Sequence, residues 1–421
     1  MTTTKFKNTE IGRIPEDWEV KELGKSALIK ARIGWQGLTT QEYLDTGEYY
    51  LVTGTDFKDG KINWSGCHFV TKARYDQDKF IQIKKQDVLV SKDGTIGKVA
   101  YLDEIPGRGT LNSGVFVIRS KDSKITQPFL AIVFLSKYFD NFIDKILAGS
   151  TIVHLYQKDI VNFTFPLPPS KAEQSRIASA LFDIDTLIRD LDRIIEKKKN
   201  IRQGAMEQLL SGKKRLPGFK GEWIDINLGQ FGRMVRGVSF KPEQSHNIRS
   251  NNSSILLRST NVQDGRIFMG EVIYVDNNCI RSEQIMKQGD ILICTANGSR
   301  ALVGKSALFL EKKKCTFGAF MSVFRCDEVQ FSSFIYYLFQ SSTYRRMLED
   351  ILSGSAINNL NASQVEELVF NIPANSDELF AIADTLTAMD DEIAVLQMER
   401  DKYANIRSGM MDDLLTGRKR L

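Results

Sequence analysis

The stretch closest to a catalytic motif is Gly298-Ser-Arg-Ala-Leu-Val-Gly304-Lys305-Ser306. Its glycines, lysine and serine are the residue types that wrap and neutralise a nucleotide phosphate. The spacing argues against that chemistry. A phosphate-binding loop keeps four residues between its glycines, and five stand here. The related run Asp93-Gly-Thr-Ile-Gly-Lys98-Val99 is shorter and lacks Ser or Thr after its lysine. One phosphate group would not be wrapped by loops of two lengths, so both segments are predicted to be strand–turn–strand corners. Other catalytic constellations are scarce. His68, His154 and His246 lie far apart, which offers little acid–base machinery and no zinc-finger spacing. No strand-anchored GxGxxG occurs, nor the Asn/Asp-Pro-Pro-aromatic signature of amino-methyltransferases. Pro166-Leu-Pro168-Pro169 reads as a linker into a helix. No catalytic residue and no metal site are expected.

What remains favours binding. The corner loops carry Ser91, Lys92, Thr95 and Lys98, matched later by Thr295, Asn297, Arg300 and Lys305. Further along stand His154, Tyr156 and Lys158, against Asn358, Asn359 and Asn361. Arg32 and Arg236 come early in their respective halves. Such side chains hydrogen-bond base edges and phosphates, though any one alone is an ordinary surface residue. Recurrence at matching places, with changed identity, raises the binding reading. The basic clusters Lys197–Lys199, Lys213–Arg215 and Arg418–Arg420 read first as solvated helix ends, and secondly as phosphate contacts.

The match between halves is a duplication. Trp18 and Leu23-Gly24 recur as Trp223 and Leu228-Gly229, at an offset of 205. The same 205 carries Asp59-Gly60 onto Asp264-Gly265, Gly149-Ser150 onto Gly354-Ser355, and Pro168 onto Pro373. It also carries Ile177-Ala178, Leu181, Asp185, Ile201-Arg202 and Leu209-Leu210 onto their counterparts. The repeat is far longer than a solenoid unit, so each copy should be a domain plus an accessory element. After Pro168 and Pro373 the copies align almost position by position. Their middles keep turn landmarks but drift to offsets of 203 and 207 and change most side chains. One scaffold was copied faithfully and one surface diverged.

Each copy opens with short β-rich runs, such as Asp87-Val-Leu-Val and Val115-Phe-Val-Ile, or Asp290-Ile-Leu-Ile and Met321-Ser-Val-Phe. A helix is predicted near Phe129–Ile146 and Ser333–Leu352, stopping at Gly149 and Gly354. A long helix then closes each copy, roughly 171–211 and 376–416. Its apolar seam is Ile177, Leu181, Ile184, Ile188, Leu191 and Ile195 in the first. In the second it is Ile382, Leu386, Met389, Ile393, Leu396 and Tyr403, continuing to Met410 and Leu414, with Arg400 intruding. A sustained 3–4 spacing over this length argues helix–helix pairing as a coiled coil.

A chain of 421 residues suits two or three domains. Hydrophobic content of 42% and charged content of 26% describe a soluble globular protein. The densest apolar stretch, Phe129 to Leu135, is too short to span a membrane, and the charged opening does not read as a leader. Five cysteines without a CxxC pair read as reduced residues of a cytoplasmic protein. A net charge of +5 tolerates a polyanionic partner without demanding one.

The sequence resembles the specificity subunits of type I restriction–modification systems. The resemblance rests on Ile14-Pro-Glu-Asp-Trp18-Glu-Val, Gly221-Glu-Trp223 and the runs within 87–98. Its most specific part is Phe165-Pro-Leu-Pro-Pro-Ser-Lys-Ala-Glu173-Gln174, continuing through Arg176-Ile-Ala to Asp183-Ile-Asp185. Copy two departs where Glu378-Leu379 replaces the Glu-Gln pair. The resemblance implies an α+β fold with two tandem target-recognition domains in pseudo-two-fold repeat, separated by two long antiparallel coiled-coil helices. It sets target-recognition domains at 1–168 and 217–373, and conserved helices at 169–216 and 374–421. Each domain would read one half of a split, asymmetric site in double-stranded DNA, and the helices would fix the gap. Two modification subunits would methylate adenine N6 with S-adenosylmethionine, and restriction subunits would use ATP and Mg. This chain would hold no cofactor. The other readings are a coiled-coil adaptor that never touches DNA, and a nucleotide-binding enzyme resting on Gly304-Lys305-Ser306.

Overall fold

The computed structural model describes residues 4–34, 37–148, 154–353 and 358–421. Chain contacts divide it into two compact units, residues 1–190 with 399–421, and residues 191–398. Each unit therefore joins one repeat's domain to the start of its own long helix and the end of the other long helix.

In the first unit a four-stranded antiparallel sheet runs Val99–Tyr101, Val88–Ser91, Val115–Ser120, Ala27–Ala31 in spatial order. Side chains alternate faces along a strand, and here both faces are covered. Val88, Val90, Phe116 and Ile118 enter a core with Phe129, Leu130 and Val133 from the following helix. Leu89, Val115 and Val117 enter a second core with Val52 and Leu111, whose strands lie parallel in a smaller sheet. That double burial explains the unbroken apolar runs in the sequence.

The second unit repeats the construction. Its sheet runs Gly232–Arg236, Met321–Cys326, Ile291–Cys294, Ser306–Leu308. Ile291, Ile293 and Phe324 face the helical core, whereas Leu292, Cys294, Met321 and Val323 face the core with Leu257 and Phe317. Beneath each sheet an arginine ties strand to loop. Arg119 grips both carboxylate oxygens of Asp87, and Arg325 grips those of Asp290.

The single helix expected near Phe129–Ile146 is two helices, Gln127–Phe134 and Lys137–Ala148. Ser332–Gln340 and Ser342–Ser353 form the matching pair. A serine causes both breaks. The hydroxyls of Ser136 and Ser341 donate back to the carbonyls of Val133 and Leu338 at 2.6 and 2.7 Å. The same hydroxyls accept from the N–H groups of Tyr138 and Tyr344, capping the next helix. The stops expected at Gly149 and Gly354, and the shared Gly149-Ser150 and Gly354-Ser355 dipeptides, lie outside the described residues.

The long helices run Lys171–Leu210 and Ser376–Leu415, 40 residues each, or ~60 Å of rod. Ser170 caps the first by accepting from the N–H groups of Ala172 and Glu173. Gln174, fully buried, then binds Thr126 N–H and the Pro168 and Lys124 carbonyls. Its counterpart Leu379 instead packs in the apolar core, which accounts for the departure from Glu-Gln in copy two.

The seam has two parts. Ile177 and Leu181, with Met411, Leu414 and Leu415, complete the core of the first domain. Ile382 and Leu386, with Met206 and Leu209, complete the second. Burial continues at Ile184, Leu191, Ile195 and Ile393, while Ile188, Met389, Leu396 and Tyr403 are half-buried. Within each unit the helices run antiparallel, as the ion pairs show. Lys198 meets Glu392 and Arg202 meets Asp390 in the second unit. Arg407 meets Asp185 in the first, the same pair transposed by 205. No helix among the described residues is long and apolar enough to cross a membrane.

Candidate nucleic-acid interface

In each unit three segments meet at the end of the main sheet, joined by matching backbone bonds. In the first unit the Lys92 N–H donates to the Gly114 carbonyl at 2.8 Å, and Leu155 N–H donates to the Lys92 carbonyl at 2.9 Å. In the second, Thr295 N–H donates to the Phe320 carbonyl at 3.0 Å, and Leu360 N–H to the Thr295 carbonyl at 2.8 Å. The corner after the first strand, the turn before its neighbour and the segment after the helices are thus one surface in both copies.

The shared Gly-Lys dipeptides belong to the scaffold of that corner. Gly97 and Gly304 have φ of 80° and 83°, a left-handed conformation that side chains rarely adopt. Ser91 closes the first corner by donating to the Thr95 carbonyl and accepting from Lys98 N–H. The Gly298–Ser306 stretch passes through a short 3-10 turn, Arg300–Leu302, into the strand Ser306–Leu308. A phosphate loop would open a helix there, with its N-terminal N–H groups on the phosphate; this one opens a strand.

The first unit's surface is exposed at Thr95 and Lys98. Lys92 is half-buried and stands 5.3 Å over the Phe116 ring. His154 Nδ1 contacts an Asp93 carboxylate oxygen and its ring lies 4.5 Å from Tyr156. Lys158 in turn sits 5.3 Å over Tyr156, which is exposed. The second unit's surface is built of amides. Asn297 N–H donates to the Asn358 carbonyl, and Asn297 Nδ2 to Ser259 Oγ at 3.5 Å. Ala296 bridges Asn359, and Asn358 Nδ2 donates to the Gly298 carbonyl at 3.3 Å. Lys305 is half-buried beside them, and Asn361 is exposed but caps the helix Ala362–Glu366.

Three expected contacts are placed elsewhere or otherwise engaged. Arg32 is 2% exposed, and all three guanidinium nitrogens donate inward, to the Leu111 carbonyl, Gln77 and Thr110. Burial pushes its pKa down from the ordinary arginine value. It is a core fastener. Strand register pairs Phe116 with Ala31 and Ser322 with Arg236, so the exposed Arg236 corresponds to Ala31 and not to Arg32. Thr295 is buried and its hydroxyl returns to the Phe320 carbonyl. Arg300, though exposed, donates to the Glu349 carbonyl at 2.8 Å.

Arg215, Arg418, Lys419 and Arg420 of the basic clusters are likewise engaged inside their units. Arg420 donates to both oxygens of Glu173 and of Asp17, and its guanidinium lies 5.7 Å over Trp18. Arg215 repeats this with Glu378 and Trp223, the latter at 5.6 Å. Residues separated by 205 thus make the same latch in each unit. Glu173 foremost, then Asp17, raise the Arg420 pKa above its usual value. Arg418 and Lys419 both pair with Asp413.

One prominent surface group, Phe320, is 72% exposed at the turn in the second unit and is not among the residues expected from sequence. A lone phenylalanine between apolar strands carries no spacing signal.

The family model for the type I restriction modification DNA specificity domain matches twice, over residues 15–201 and 220–402. The chain belongs to that family. Along its length it is similar to the type I restriction enzyme MjaVIII specificity subunit of Methanocaldococcus jannaschii, 24% identical over 99% of this chain and 96% of that one. It is also similar to the EcoKI specificity subunit of Escherichia coli K12, 30% identical over 40% of this chain and 37% of that one. In fold it matches the type I restriction–modification S subunit from M. genitalium, with a TM-score of 0.63 at 16% identity, covering 98% and 99% of the two chains. Family membership covers both copies, each with its own loop surface.

Proposed function

We propose that the chain is the DNA-reading subunit of a type I restriction–modification enzyme, with each unit reading one half of a bipartite, asymmetric site. One observation supports this above the rest. The two loop surfaces share their backbone bonds, while nearly every side chain they present differs. Common backbone with altered hydrogen-bonding groups is what two different base sequences require of one fold. The long helices set the gap between half-sites and dock two modification subunits and the restriction subunits. Adenine-N6 methylation from S-adenosylmethionine, and ATP- and Mg-dependent translocation and cleavage, fall to those partners. No catalytic step falls to this chain.

Variants of residues on the two loop surfaces test the partition. Thr95→Ala or Lys98→Ala should alter recognition of one half-site only, and Asn297→Ala or Asn359→Ala the other. A lost base contact costs about 1–3 kcal/mol and relaxes a single position, whereas a lost phosphate contact weakens all sequences alike. Methylation profiles over randomised sites would show which. A first-unit variant that changed both halves equally would contradict the two-reader account.

A further inference from the structure

We propose that Phe320 reads a thymine methyl group in the half-site bound by the second unit; this rests on the DNA-reading role given above. The side chain stands on a fixed backbone. Its carbonyl accepts from Thr295 N–H, Ala296 N–H and the Thr295 hydroxyl, at 3.0, 3.1 and 3.2 Å. The turn is closed behind it by Met321 N–H on the Gly318 carbonyl, and Gly318 N–H is held by the Leu257 carbonyl. So constrained, the ring nevertheless projects from the surface, 72% exposed. The segments bonded to this turn carry Asn297, Asn358 and Asn359, groups suited to base edges. Arg236 lies on the adjacent strand, opposite Ser322 and two residues from the ring.

Among polar groups that can read hydrogen-bond donors and acceptors, Phe320 supplies the large apolar surface of the turn, beside the smaller exposed Ala319. The major groove offers one apolar feature, the C5 methyl of thymine, and phenylalanine is among the side chains that contact it. Comparison of the copies ties the ring to specificity. The residue making the equivalent backbone bond in the first unit is Gly114, which has no side chain. The fold requires only the carbonyl at this place. The benzyl group belongs to one reader alone, as a sequence-determining residue would.

The test uses the full chain assembled with its modification subunits, on duplexes carrying the mapped site. Each thymine of the second half-site is replaced in turn by uracil, which pairs identically but lacks the methyl. At one position the wild type should lose about fourfold in affinity, the worth of one methyl-sized group at ~0.8 kcal/mol. Phe320→Ala should bind the thymine duplex more weakly and no longer distinguish uracil there. Phe320→Leu should keep part of the discrimination, and recognition of the first half-site should be unchanged in both variants. Equal binding of thymine and uracil at every position by the wild type would overturn the proposal. So would undiminished discrimination by Phe320→Ala, or a second half-site without thymine. The uracil series needs no variant, so it stands even if a substitution unfolds the protein. Failure of the underlying role looks different: the wild-type assembly would show no sequence preference at all.

Discussion

A fragment ending at Leu216 is expected to dimerise and, given modification subunits, to methylate a palindrome made of the first half-site twice. The cut removes residues 399–421 from the first unit and takes Met411, Leu414 and Leu415 out of its core. The fragment carries the replacements itself. Met206 and Leu209, at the offset of 205, are already seen closing the core of the second unit, 0% and 5% exposed. Arg215 can take the place of Arg420 on Glu173 and Trp18, and Arg202 that of Arg407 on Asp185. Each buried aliphatic side chain is worth about 1.5–3 kcal/mol, so an open core strongly favours a second copy. The self-complementary exchange is two-fold by construction. Because the tether is gone, assembly should depend on concentration where the intact chain does not. Light scattering and methylation mapping check this. A stable folded monomer, or a dimer still methylating the original asymmetric site, would contradict the duplicated-reader account.

The second large effect is expected at the arginine latch. Arg420→Ala should destabilise the protein by about 2 kcal/mol, because it strands the Glu173 carboxylate, only 5% exposed, without its counter-charge. The value sits below that for a fully buried pair because about a third of the Arg420 side chain reaches solvent, 32%. Arg420→Lys should recover little, since an ammonium cannot bind two carboxylates in bidentate fashion. The effect has a pH signature. The hydrogen bond from Arg420 holds the Asp17 pKa below its usual 3.8. A depressed carboxylate contributes stability above its unfolded value and loses it as pH falls through the folded value. The gap between wild type and Arg420→Ala in denaturant melts should therefore narrow below about pH 4. A gap independent of pH would show that the loss is packing against Trp18 alone.

Much of this was legible in the sequence because the chain is written twice. The offset of 205 revealed the duplication, and apolar runs with turn residues placed the main strands and both long helices. Periodicity could not say what each seam residue touches. Ile177 and Leu181 follow the same spacing as Leu191 and Ile195, yet the first two complete a domain core. The serine breaks at Ser136 and Ser341 were hidden because the apolar pattern runs through them. Charge was the least readable property. Arg215, Arg420 and Arg32 look like polyanion contacts by type, but the side chains that accept their hydrogen bonds lie 45 to 403 residues away in sequence. Only folding reveals that those charges are already spent. Divergence singled out loops that the structure joins into one surface in each unit, whereas the exposure of Phe320 on that surface needed the geometry.

The central claim is that this chain selects which DNA sequence is modified. The most direct measurement is a map of modified adenines in host DNA with the modification subunits present, comparing cells that carry the gene with cells that lack it. The account predicts one bipartite, asymmetric motif that vanishes without the chain. Replacing residues 217–373 by a second copy of residues 12–168 should convert that motif to a palindrome of its first half. A set of modified adenines that is the same with and without the chain would contradict the account.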